Sequence, residues 1–181
     1  MKNEIKPIKM KLFLVLFSIV LMACDSASVD LSDENYLFDG RGGVKCDING
    51  VELKPKITYS PGPGTRDLNY DYYNGEDVLR LSFYNTDSND RFLSVDIIIK
   101  NFNPISTNLT DLKIDLDDVS QGKLYVNNNF EYTTDREFTG QFEIIYHDQS
   151  ERILAGKFWY DAVNSDGEAI EIRNGEFDMK Y

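Results

Sequence analysis

Two stretches decide the fold: Val78-Leu79-Arg80-Leu81-Ser82-Phe83-Tyr84 and, after a polar break, Phe92-Leu93-Ser94-Val95-Asp96-Ile97-Ile98-Ile99-Lys100. Leu79, Leu81 and Phe83 fall on one face of an extended chain, with Arg80 and Ser82 on the other. Leu93, Val95, Ile97 and Ile99 repeat the pattern, with Ser94, Asp96 and Lys100 opposite. Alternation of period two places every second side chain in a core and argues for a sheet that is wet on one side. Asn85-Thr86-Asp87-Ser88-Asn89-Asp90, between them, is turn chemistry, because these short polar side chains bond their own backbone.

Working outward, the same signature recurs. Val44, Cys46 and Ile48 alternate with Lys45 and Asp47, and Asn49-Gly50 is followed by Val51 and Leu53. Asn-Gly between alternating segments is a strong hairpin signal, since both central residues of a type I′ turn need positive φ. Pro55 and Ser60-Pro61-Gly62-Pro63-Gly64 then break the pattern into a loop. Leu124, Val126, Phe130 and Tyr132 predict two short strands around Asn127-Asn128-Asn129. Residues 101–122 are the least regular. A short helix near 107–113 fits the spacing, but a strand over 112–116 fits the alternation of Leu112, Ile114 and Leu116 better.

The C-terminal third repeats Gly-x-Phe three times, at Gly140-Gln141-Phe142, Gly156-Lys157-Phe158 and Gly175-Glu176-Phe177. Glycine and phenylalanine share a face in each copy, which makes room for rings on neighbouring strands. Ile144 and Tyr146 continue the face of the first copy. With turns at Asn164-Ser165-Asp166-Gly167 and Asn174-Gly175, and a strand at Ile170 to Ile172, the reading is a meander of four antiparallel strands. No segment carries helical periodicity over three turns. The fold class is therefore all-β, an antiparallel β-sandwich or partly closed β-barrel of about eight to ten strands.

The N-terminus has a different composition. Lys2, Lys6, Lys9 and Lys11 precede an eleven-residue stretch, Leu12 to Met22, that is apolar but for Ser18. A helix of that length covers about half of the ~30 Å hydrocarbon core, so it suits a signal peptide better than a membrane span. Ala23 and Cys24 follow, then Asp25-Ser26-Ala27-Ser28. Leu21-Met22-Ala23-Cys24 resembles the bacterial lipobox. The resemblance implies removal of residues 1–23, diacylation of the Cys24 thiol and acylation of the new amine. Several acyl chains hold a protein stably at a bilayer where one holds it marginally. Residues 24–37 read as a flexible acidic tether and 38–181 as a single β-domain. Acidic residues just after the cysteine act as sorting information in some lipoproteins. The outer membrane, at its periplasmic face or the cell surface, is thus expected over the inner membrane.

A further likeness is one of layout. The lipobox, the Asn49-Gly50 hairpin, Leu154-Ala155-Gly156-Lys157-Phe158, Ile170-Glu171-Ile172 and Asn174-Gly175-Glu176-Phe177-Asp178 together resemble uncharacterised lipoproteins of diderm bacteria. Those are single β-rich domains. These motifs are turns and core positions, and they carry no catalytic residue with them.

Composition narrows the function classes. The chain has 181 residues and a net charge of −12. Residues 1–23 carry four lysines and one glutamate, so their removal takes the charge to −15. That acidity argues against nucleic acid and anionic lipid as partners of the domain itself, and leaves the acyl chains as its membrane attachment. Once Cys24 is acylated, Cys46 has no disulfide partner, and its alternation with Val44 and Ile48 reads as a core position.

No catalytic group, cofactor or metal site emerges. His147 is the single histidine and reads as an exposed strand-end residue. Serine-nucleophile and zinc signatures are missing, since each needs partners this sequence does not space out. Asp87-Ser88-Asn89-Asp90 and Asp115-Leu116-Asp117-Asp118 offer oxygens for calcium without the EF-hand order, and read as solvated loops. Tyr70, Tyr72 and Tyr73, together with Trp159, are the candidate ligand-binding residues, because aromatic planes among amides and carboxylates suit glycan or protein contacts. The expected function is a lipid-anchored, non-enzymatic binding module of the cell envelope. The alternative is an envelope glycan hydrolase, which requires two converging carboxylates.

Overall fold

A computed structural model describes residues 29–55, 66–73, 76–86, 90–102, 109–112 and 120–181; the side chains of 66–76, 109 and 130 fall outside that description. The protein is all-β, with no helix among the described residues, and its strands form one nearly closed antiparallel barrel-like sheet. The strands are β1 (Gly43–Ile48), β2 (Val51–Leu53), β3 (Arg66–Tyr73), β4 (Glu76–Thr86), β5 (Phe92–Lys100) and β6 (Leu109–Leu112). β7 (Gln121–Val126), β8 (Phe130–Thr133), β9 (Gly140–Asp148), β10 (Ile153–Val163) and β11 (Ala169–Lys180) follow. Neighbours run in the order β2-β1-β11-β10-β8-β7-β5-β4-β3, and β9 pairs with β10 while β6 pairs with β9.

The alternating stretches behave as their pattern dictates. β4 and β5 pair antiparallel with Leu81 opposite Ile97 and Phe83 opposite Val95, and all four are buried. The β1–β2 hairpin turns at Asn49 and Gly50, with φ of 49° and 79°, which is the positive-φ pair the Asn-Gly reading requires. β7 and β8 are joined through Asn127 and Asn128, also at positive φ.

The three Gly-x-Phe copies lie side by side in β9, β10 and β11. Phe158 stands opposite Phe142 on one side and Gly175 on the other, while Gly156 stands opposite Phe177. A Cβ on Gly175 would sit 2.4 Å from the Phe158 ring, and one on Gly156 would sit 2.0 Å from the Glu143 carbonyl oxygen. The absent side chains let the rings cross the strands, and Phe142 and Phe177 stack with centroids 5.2 Å apart. Tyr160, fully buried, closes this layer and donates its hydroxyl to the Lys123 carbonyl oxygen at 2.7 Å.

Three expectations need correcting. Asn174-Gly175 is no turn: β11 runs unbroken from Ala169 to Lys180, and Trp159 alone faces the pair Arg173 and Asn174. This is a β-bulge, with Asn174 at φ 52°. Where a short helix near 107–113 also fitted the spacing, the described residues Leu109–Leu112 are a strand paired with Gly140 to Glu143. Most of the strand expected at 112–116 lies outside the described residues. Lastly, Tyr146 leaves the face of Phe142 and Ile144. A second register shift puts Ile144 opposite Gly156 and Tyr146 opposite Ala155, so Ile145 bulges outward.

The N-terminal residues form a strap. Of the tether expected over 24–37, residues 29–37 are described, and they lie against the sheet. Val29 is 1% exposed and donates its N–H to the Gly42 carbonyl at 2.9 Å. The Tyr36 hydroxyl donates to Asp178 Oδ2 at 3.0 Å, and the Gly40 N–H donates to Oδ1 at 3.0 Å. Phe38 stacks on Tyr146 with centroids 4.6 Å apart. The bulge at Ile145 is what turns Tyr146 outward to receive it.

Candidate functional site

Strand register builds a cleft of about 490 Å³ on the outer face of β1, β9, β10 and β11. Glu143, Lys157, Glu176 and Lys45 stand in one cross-strand row, each the partner of the next. Their charges alternate, and Lys45 Nζ lies 3.2 Å from Glu176 Oε2. Opposite charges on directly paired residues stabilise a sheet face and leave the row with no net charge.

The next row is Gln141, Trp159 and the bulged pair Arg173 and Asn174. Trp159 is 37% exposed, and its Nε1–H donates to Gln141 Oε1 at 3.3 Å. The Arg173 guanidinium lies 5.4 Å from the indole centroid, within cation–π range. Arg173 is fixed by donating to the Tyr160 and Ile172 carbonyls, at 3.1 and 2.9 Å, and to Asp161 Oδ1 at 2.6 Å. Asn174 donates to Asp47 Oδ2 at 2.6 Å. The bulge therefore sets two planar polar residues opposite one tryptophan, where a regular ladder would have set one.

The strap forms the remaining wall through Asp30 and Ser32. Asp30 accepts from the Ser32 hydroxyl at 2.6 Å and its N–H at 3.1 Å, and these bonds hold the carboxyl below its ordinary range. Glu176 Oε2 also accepts the Leu31 N–H at 3.2 Å, so one cleft carboxylate ties the strap to the sheet. Burial pushes the Asp178 carboxyl upward, but that group lies beneath Tyr36 and not in the cleft.

Of the expected binding residues, Trp159 lines this cleft. Tyr70, Tyr72 and Tyr73 lie in β3, opposite Leu79, Asp77 and Glu76, and their side chains fall outside the description. Strands β8, β7, β5 and β4 separate β3 from β10 in the sheet order, so the ladder does not set the tyrosines beside Trp159. His147 is half-buried rather than exposed, with Nε2 2.7 Å from the Tyr181 hydroxyl. Cys46 is 1% exposed, and burial drives its thiol well above the usual range. Cys24 and residues 115–118 lie outside the described residues, as do 87–89. Among the described residues no three His, Cys, Asp or Glu side chains gather as a metal site, and no helix is long and apolar enough to cross a membrane.

Lys45, Gln141, Arg173 and Asn174 were missed by sequence reasoning. Each is an ordinary outward strand residue, and only register and the bulge bring it into the cleft that Trp159 lines. No family model matches the chain, and comparison with curated proteins and with solved structures finds no match.

Proposed function

We propose that the chain is a lipid-anchored, non-enzymatic glycan-binding module of the cell envelope, attached through Cys24 and binding its ligand in the cleft at Trp159. The observation that carries this reading is the indole plane flanked by Gln141, Arg173 and Asn174 in a charge-compensated cleft. A row of alternating charges attracts neither anions nor cations strongly. Planar amide and guanidinium groups beside an aromatic face match a ligand that is apolar on one side and hydroxylated on its edge. A polar peptide segment is the other ligand this chemistry fits. The lipobox resemblance and the acidic domain surface support anchoring by acyl chains at the outer membrane.

A glycosidase would need two carboxylates facing across about 5–10 Å. Glu143 and Glu176 are two strands apart with Lys157 between them, and Glu176 is already engaged by Lys45 and the Leu31 N–H. That arrangement favours binding over hydrolysis.

The test uses Cys24→Ala protein on an array of envelope glycans. Binding to at least one glycan is expected, with Trp159→Ala weakening it roughly tenfold, which corresponds to ~1.4 kcal/mol. Equal binding by both proteins would refute the cleft, and release of shortened glycans would establish the hydrolase. For the anchor, Cys24→Ala should move the protein out of the membrane fraction; retention there would refute lipid attachment.

A further inference from the structure

Among the described residues no ladder joins β2 and β3, the two ends of the strand order. The Asn85 side-chain amide instead reaches across the gap and donates to the Lys54 carbonyl oxygen at 2.6 Å. Beside this bridge the sheet opens into a second concavity of about 440 Å³, within the ~300–1,000 Å³ usual for small-molecule sites. Its floor is the barrel core itself, through Leu53, Leu93, Leu124 and Ile170, each no more than 8% exposed. Its rim carries Val51, which is 64% exposed although it is aliphatic. A crease that runs from an exposed valine down to core leucines is a path by which an apolar chain leaves water.

The polar rim selects further. The Glu52 carboxylate lies 3.1 Å from Lys54 Nζ, and the Asn49 side chain accepts the Glu171 N–H at 2.8 Å. Arg91 adds an exposed guanidinium to this wall, a positive group on a chain of net charge −12. The mouth of a β-barrel is a recurrent ligand position, because the strands splay there and the core is within reach.

We propose that this mouth binds a single-chain fatty acid, with its alkyl tail against Val51, Leu53 and Ile170 and its carboxylate at Arg91. The site shares no residue with the cleft at Trp159 and is independent of the glycan reading. Because Val51 is exposed and sits in a hairpin, changing it leaves the core intact.

The experiment is photo-crosslinking with a diazirine-bearing laurate on the full-length protein in its own membranes, mapped by mass spectrometry. Expected are adducts on β2, β7 and β11 at the mouth, suppressed by excess laurate. Val51→Asp should cut the labelling about tenfold with an unchanged melting temperature. Arg91→Gln should abolish the preference for laurate over dodecanol as competitor. Adducts spread over the surface, labelling indifferent to Val51→Asp, or equal competition by laurate and dodecanol in the unmodified protein would each overturn the proposal.

Discussion

Asp178 latches the strap, and removing it gives a sharp test. Its carboxylate accepts the Tyr36 hydroxyl at 3.0 Å, the Gly40 N–H at 3.0 Å and the Asp39 N–H at 3.3 Å. The residue is fully buried, and burial raises its carboxyl above 3.8 against the pull of those donors. Each bond contributes about 0.5–1.5 kcal/mol, or more where the acceptor is charged, and desolvation of the carboxylate offsets part of the sum. Asp178→Ala should therefore cost about 2–3 kcal/mol, lowering the melting temperature by roughly 5–10 °C in a domain of this size. The same change should make residues 29–40 the first site of limited proteolysis, because their local opening no longer breaks these bonds.

The pH dependence has a definite sign. A carboxyl raised in the native state binds its proton more tightly there than in the unfolded chain, so it contributes less stability as pH rises from 3.8 through the native value. Asp178→Asn keeps an acceptor and removes the charge. Urea unfolding of both proteins between pH 3.5 and 7 should then show the unmodified protein gaining on the Asn variant as pH falls. A melting shift below 1 °C for Asp178→Ala with no new cleavage would refute the latch. A relative loss by the unmodified protein on acidification would refute the burial argument.

Gly156→Ala drives a Cβ to 2.0 Å from the Glu143 carbonyl oxygen, a backbone atom held in the β9–β10 ladder. A cost at the upper end of the ~1–3 kcal/mol of overpacking is expected, read as a lower denaturant midpoint; an unchanged midpoint would show that the strands separate freely there. Tyr160→Phe leaves the Lys123 carbonyl without its buried donor and should cost about 1–3 kcal/mol by chemical denaturation, with the slope unchanged. In Cys24→Ala protein, Cys46 should react with a maleimide roughly a hundredfold or more slower in buffer than in denaturant, since its thiol is 1% exposed and burial disfavours the thiolate. Comparable rates would mean that β1 opens readily.

Strand alternation was legible wherever one face is core and the other wet, as in β4, β5 and the β1–β2 hairpin. The errors arose where one local chemistry serves two purposes. Asn174-Gly175 carries the positive φ a turn needs, yet the same φ makes a bulge when the partner strand continues past it. Only the lone Trp159 on β10, opposite two residues of β11, decides between them. Tyr146 was misplaced for the same reason, because one extra residue at Ile145 inverts every face beyond it. The cleft was illegible except at Trp159. Its charge row joins residues 45, 143, 157 and 176, whose adjacency follows from cross-strand register and from no spacing along the chain.

The strap also sets a length. If the acyl chains hang on Cys24, the leash to the folded body ends at buried Val29, five residues on, and not at the end of a tether reaching 37. Five residues span at most about 17–18 Å, even fully drawn out. The body then rides close over the headgroups, within reach of little beyond that membrane. Asp30 and Ser32, next along the chain, keep one wall of the Trp159 cleft beside that attachment. What such a protein meets is whatever lies flat along the same membrane, at the high local density that confinement to a surface gives.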